Sequence, residues 1–282
     1  MAGRRANGRS CRAGGAVRLA GVKLAYDEAG RGECVVLIHG HPFDRTLWGP
    51  QLAALRDRFR VVVPDLRGFG ESPAMPGSVT MREYAADVED LLDDLRINRA
   101  AVIGLSMGGL VTMELARSQP ERYWAIGLVA TTAEPVTAQE RVTRRQRADA
   151  VERDGMGVLV DYMHTGLYGP ACPPAVRARV DAMMAATSPA GAAAALRGRA
   201  ERPDYRPVLA ALDVPALVCA GTADPWSDSA VTAEIVACLK HPELVVIDGA
   251  GHLPNLEAGR QFDQALRGFL QAHAPAGPAS AG

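Results

Sequence analysis

The chain has no apolar run approaching the roughly 18 residues that a membrane-spanning helix needs, no Cys-x-x-Cys pair, no internal repeat and almost no net charge. The first absence leaves no expected membrane span. The formal net charge of -1 gives no electrostatic reason to expect nucleic acid or an anionic membrane surface as a partner. Positive charge gathers locally at Arg141, Arg144, Arg145 and Arg147, but it alternates with Asp and Glu, so a solvated helix face is expected there. The cysteines Cys11, Cys34, Cys172, Cys219 and Cys238 are odd in number and widely spaced, which points to a reducing compartment and a cytoplasmic protein. The basic opening stretch lacks the apolar core of about 7–15 residues found in a secretory signal. Residues 1–15 and 274–282 are expected to be disordered tails.

What is present is a regular alternation. Residues 16–19 and 22–26, separated by a glycine, predict an opening hairpin. Continuous apolar runs at 34–38 and 60–63 read as strands buried on both faces, and 100–105 and 125–131 read as further strands. Between them, residues 44–55 fit a helix that Asp44 can cap. Residues 80–95 carry Met81, Tyr84, Val88, Leu91, Leu92 and Leu95 on one face, and 107–118 make the next helix. Strand and helix alternating in this way predict an α/β protein with a mostly parallel sheet and flanking helices.

The pattern changes at 133–212. That stretch is rich in alanine and arginine, helical in period, interrupted by prolines, and free of strand-like runs. It predicts a helical lid inserted between two parts of one core, 16–132 and 213–273. Strands resume at 216–220 and 244–247, with helices near 228–239 and 254–273.

The chemistry centres on Gly104-Leu105-Ser106-Met107-Gly108, between a predicted strand and a predicted helix. A serine hydroxyl is a poor nucleophile unless a base removes its proton, so it must stand exposed on a tight turn. Small residues on either side make such a turn possible. An acid and a histidine should follow, each after a later strand. Asp224, in Gly-Thr-Ala-Asp, and His252, in Gly-Ala-Gly-His, occupy those positions and keep the order Ser, Asp, His. His252 is the expected general base, and Asp224 the group that orients it. Asp228 reads instead as the cap of the next helix, and Glu134 is the weaker candidate acid. An oxyanion needs fixed donors, and the backbone N–H groups of Met107 and His41 are expected to supply them. His39, His41 and Asp44 do not complete a metal-ligand set, so neither a metal nor an organic cofactor is expected. Phe43, Trp48, Leu105 and Trp226 lie in or beside these loops and are candidates for the acyl pocket. His164, Tyr162, Met163 and Tyr168 of the lid are further candidates for facing the site.

The blocks HGHPFDRTLW, DLRGFGES, GLSMGG, GTADPW and GAGHLPNLE together resemble the α/β-hydrolase superfamily over nearly the whole chain outside the tails. Within it, HGHP and GLSMGG resemble esterases and lactonases related to 3-oxoadipate enol-lactonase, and the cofactor-free haloperoxidases and perhydrolases are also similar. Epoxide hydrolases and haloalkane dehalogenases use an aspartate nucleophile, where this chain has Ser106. The resemblance implies the α/β-hydrolase fold and hydrolysis of a small or medium ester or lactone through an acyl-enzyme. Peracid formation, or thioester or lactone release in specialised metabolism, would use the same residues. A non-catalytic ligand receptor on the same fold is the remaining alternative, because fold does not dictate function.

Overall fold

The computed structural model describes residues 22–275. Seven strands form one sheet in the order β1-β3-β2-β4-β5-β6-β7. They are β1 (Tyr26–Ala29), β2 (Cys34–Ile38), β3 (Arg60–Pro64), β4 (Ala100–Leu105), β5 (Tyr123–Val129), β6 (Ala216–Gly221) and β7 (Pro242–Ile247). All neighbouring pairs are parallel except β1 with β3.

The expected opening hairpin differs from what is found. Residues 16–19 lie outside the described residues, and residues 22–25 are not a strand. The first strand is Tyr26–Ala29, which pairs antiparallel with β3, with Tyr26 opposite Pro64. Its residues Tyr26, Asp27 and Glu28 are exposed, as suits a sheet edge that blunts itself with charge.

The central strands are apolar because both faces are covered. In β2, Val35 and Leu37 enter one core cluster while Val36 and Ile38 enter the other. The helices are α1 (Gly49–Leu55), α2 (Met81–Asp94), α3 (Met107–Ser118), α4 (Ala138–Asp154), α5 (Gly157–Met163), α6 (Pro174–Ala186), α7 (Pro189–Arg199), α8 (Arg206–Ala211), α9 (Ser229–Cys238), α10 (Pro254–Glu257) and α11 (Gly259–His273). Helices α2 and α3 lie against one cluster, and α1 and α11 against the other. Local chemistry sets several helix starts. Asp44 accepts the Thr46 N–H at 2.8 Å before a short 3₁₀ turn, and Thr80 and Glu83 form a reciprocal capping box on α2.

Helices α4 to α8 all fall between β5 and β6, with no strand among them. Several hydrogen bonds tie this insertion to the core loops. The Thr187 hydroxyl donates to Pro42 O at 2.8 Å, and the Val79 N–H donates to Ala194 O at 3.1 Å.

The block from Asp65 to Ser72 is a turn braced by charge. Arg45 pairs with Asp65, and Arg67 with Asp87, whose side chain is buried. The sheet order reverses direction at β2: β3 lies on one side of it and β4 on the other. Open parallel sheets place their sites in the crevice at such a switch, beyond the carboxyl ends of the strands.

Candidate active site

Ser106 directly follows β4 and precedes α3. Its backbone has φ 55° and ψ −113°, a conformation that L-residues rarely adopt. The crowding around the turn explains its glycines. A Cβ on Gly104 would lie 2.1 Å from Gly108 O, and one on Gly108 would lie 2.2 Å from Ile38 O. A Cβ on Gly40 would meet the Ser106 Cβ at 3.2 Å, so the loop after β2 runs directly beside the serine.

That loop holds its shape through two histidines. His39 donates from Nδ1 to Gly40 O at 2.8 Å and accepts the Leu66 N–H on Nε2 at 2.9 Å. His41 donates from Nε2 to Ala192 O at 3.0 Å. Burial lowers the pKa of both rings; for His41 the charge on Arg199 adds to the effect and pushes it well below the usual range. Both imidazoles are therefore neutral, fixed by backbone partners. Among the described residues, neither the His41 N–H nor the Met107 N–H is taken up by a hydrogen bond.

Asp224 follows β6 and His252 follows β7, and both are buried. His252 Nδ1 lies 2.7 Å from Asp224 Oδ2, which assigns the proton to Nδ1 and leaves Nε2 as an acceptor. The carboxylate also accepts from the Trp226 N–H at 2.9 Å and from the Ser227 hydroxyl. Burial alone would raise the Asp224 pKa. Its interaction with His252 and these donors outweigh it and hold the carboxyl below its usual range. Asp228 instead caps α9, accepting the Ala230 and Val231 N–H groups.

Ser106, His41 and His252 share the wall of one cavity of about 330 Å³. Of the expected pocket residues, Trp226 lines it, stacking on Tyr162 at 5.9 Å and meeting the His252 ring edge-on at 4.9 Å. Phe43, Trp48 and Leu105 are not in the lining but fully buried in the core, Trp48 against Phe262. Proximity in sequence to a motif loop does not set the direction of a side chain, and these three point into the packed face. Of the insertion, Tyr162 and Met163 reach the cavity. His164 and Tyr168 instead share Asp181, with contacts of 2.8 and 2.5 Å.

The arginine-rich helix differs in part from the expected solvated face. Arg141 and Arg145 do face outward, both paired with Glu201. Arg144 and Arg147 lie on the other side of α4 and line the cavity with Arg199 and Arg202. Glu134 lines it too, with its pKa raised by burial and by Glu234. The sequence offered a faint signal here: at about 100° per residue, 144 and 147 centre about 110° around the helix from 141 and 145. Another residue outside the expected set, Glu257, braces the histidine loop. It accepts the N–H groups of Gly251 at 3.1 Å and Leu253 at 3.2 Å.

Residues 35–265 match the model of an alpha/beta hydrolase family. A 3-oxoadipate enol-lactonase of Acinetobacter baylyi is 34% identical over 81% of this chain and 85% of its own length. A malate-bound structure of a thermophilic esterase from Thermogutta terrifontis superposes with a TM-score of 0.87 at 38% identity, covering 89% of this chain and 94% of that one. An enol-lactonase structure from Burkholderia xenovorans gives 0.81 at 30% identity, over 88% and 96% of the two chains. With the sheet, the turn at Ser106 and these matches in agreement, the chain belongs to the alpha/beta hydrolase family.

Proposed function

We propose that the protein hydrolyses a small carboxylic ester or lactone through an acyl-enzyme on Ser106. The observation that carries the reading is the 2.7 Å contact between His252 Nδ1 and Asp224 Oδ2, at the wall of the cavity that Ser106 shares. It directs the basic Nε2 lone pair away from the carboxylate. Among the described residues the Ser106 hydroxyl has no hydrogen-bond partner, and substrate binding brings it under Nε2.

Ser106 Oγ attacks the carbonyl carbon while His252 Nε2 takes its proton. The carbonyl electron pair moves to oxygen, which the His41 and Met107 N–H groups receive. Collapse of this intermediate breaks the bond to the leaving oxygen, which takes the proton back from His252. Water then attacks the acyl-enzyme, again giving its proton to Nε2. The second collapse frees the acid and returns the proton to Ser106. Asp224 stabilises the imidazolium at each proton transfer. The helical insertion serves as the lid, covering the reacting centre with Leu159, Tyr162, Met163 and Leu196. The activities of the similar enol-lactonase and thermophilic esterase support this bond class.

The test is labelling with a fluorophosphonate and hydrolysis of p-nitrophenyl acetate by wild type, Ser106→Ala and His252→Ala. Wild type should label and turn over, and both variants should lose each by more than a thousandfold. Retained turnover in Ser106→Ala, or a folded wild type that neither labels nor hydrolyses, would overturn the proposal.

A further inference from the structure

The cavity beside Ser106 carries more positive charge than its own walls neutralise. Four guanidinium groups line it, from Arg144, Arg147, Arg199 and Arg202, against two carboxylates, Glu134 and Glu140. Glu140 is divided between Arg144 at 3.2 Å and Arg202 at 3.6 Å. Arg202 also donates from Nε to Glu134 O at 2.9 Å. Arg147 lies over the Tyr162 ring, 3.3 Å from its centroid, a contact that leaves its N–H edge unspent. Arg199 has no carboxylate and no hydrogen-bond acceptor among the described residues, and the buried Nε atoms of both Arg199 and Arg144 lack a partner.

An arginine held this way is costly. Its charge is half-buried beside three like charges, and no carboxylate among the described residues repays the water it loses. Burial first, then the charges of Arg144 and Arg202, act against the protonated form of Arg199. Structural arginines are normally buried only with partners. The missing acceptor is therefore one that arrives with a ligand, and the same cavity places the ligand against Ser106 and His252. A guanidinium presents a planar fork that fits a carboxylate with two parallel N–H bonds.

We propose that Arg199, supported by Arg144, Arg147 and Arg202, is a recognition site for an ionised carboxylate carried by the substrate. Resting on the hydrolase reading above, it narrows the substrate to an ester or lactone with a free carboxylate at its far end. The cavity volume of about 330 Å³ suits a short chain between the two carbonyl carbons. Leu110, Leu159, Met163 and Leu196 supply the apolar wall along which that chain would lie. Glu134 and Glu140 keep the subsite from being indiscriminately basic and leave Arg199 as its uncommitted member.

The test compares two esters of equal chain length, mono-p-nitrophenyl glutarate, which carries the carboxylate, and p-nitrophenyl pentanoate, which does not. Wild type should favour the glutarate at least tenfold in kcat/KM. Arg199→Gln should cut that ratio at least tenfold, and Arg199→Lys should retain part of it. A ratio near one in wild type, or an unchanged ratio in Arg199→Gln, would overturn the inference. Direct binding gives a readout that needs no turnover. Glutarate should raise the melting temperature of Ser106→Ala, and adding Arg199→Gln should abolish the rise. A rise with inorganic phosphate but not with glutarate would overturn the assignment to a carboxylate. Failure of both esters and of fluorophosphonate labelling would overturn the hydrolase reading, while glutarate binding would still decide the subsite on its own.

Discussion

The Glu257 carboxylate accepts the Gly169 N–H at 2.8 Å, across 88 positions of the chain. The same oxygen accepts the Gly251 N–H, one residue before His252, and the other oxygen accepts the Leu253 N–H, one residue after it. His252 itself donates its N–H to Leu167 O at 2.9 Å. One carboxylate therefore fastens the helical insertion to the loop that carries the proposed base.

Removing it should loosen both. Glu257→Ala leaves three N–H groups without their acceptor, and each such loss costs about 1–3 kcal/mol when water cannot replace it. The expected effect is a destabilisation of roughly 3 kcal/mol, or about 6–12 °C in melting temperature. Turnover should fall more than substrate affinity, because the loop that carries the proposed base loses its anchor. Glu257→Gln keeps one acceptor oxygen and should lie between wild type and the alanine variant. Calorimetry and steady-state kinetics on p-nitrophenyl acetate check this, and a melting temperature within 1 °C of wild type would contradict it.

The role proposed for Asp224 is separable from its charge. Asp224→Asn nearly preserves shape, but an amide can turn its NH₂ toward His252 and place the ring proton on Nε2, the wrong nitrogen for a base. Turnover should drop by about 10³–10⁴-fold, while the melting temperature should change by only a few degrees. Equal activity in the two proteins would mean that Asp224 does not set the tautomer.

Much of the candidate site was legible because the residues proposed for it are tied to backbone form. A serine on a turn this tight needs Gly104 and Gly108, and those glycines mark it even in an isolated sequence. Asp224 and His252 were legible because they directly follow apolar runs that could only be strands. What could not be read depends on tertiary orientation. β1 has the composition of a surface loop, and only pairing with β3 makes it a strand. Trp48 sits among motif residues, yet its ring packs on Phe262, more than two hundred positions away. Arg144 and Arg147 differ from Arg141 and Arg145 only in the face of α4 they occupy, and which face meets the cavity depends on how the insertion docks.

The backbone at Ser106 stores strain that stability measurements can detect. With φ at 55° and ψ at −113°, any residue with a Cβ bears a cost of order 1–3 kcal/mol, and glycine bears almost none. Glycine loses about 0.5–1 kcal/mol of this through the greater freedom of the unfolded chain. Ser106→Gly should therefore unfold about 2–6 °C above Ser106→Ala, and under the proposed mechanism neither should turn over ester. A lower melting temperature for the glycine variant would show that the turn is unstrained.

Acid should destabilise the protein before its carboxylates titrate. His39 and His41 are buried and neutral, with folded pKa values below the unfolded value of about 6.5. Protonating His39 would set a second N–H against the Leu66 N–H that Nε2 now accepts. Below pH 6.5 the unfolded chain thus binds protons that the folded one refuses, so stability falls as pH falls. The slope is at most about 1.4 kcal/mol per pH unit for each histidine, until its folded pKa is reached. Asp224, lowered in the fold, adds a loss of the same sign only in the carboxylate range near pH 4 and below. Glu134, raised in the fold, acts in the opposite sense, so the wild-type curve alone does not isolate the histidines. The informative comparison is with His39→Gln, whose side-chain carbonyl reaches the Nε2 position and can still accept the Leu66 N–H but does not titrate. Urea midpoints from pH 7 to pH 5 should fall less steeply in that variant than in wild type. Parallel curves would mean that His39 is already free to protonate in the folded protein.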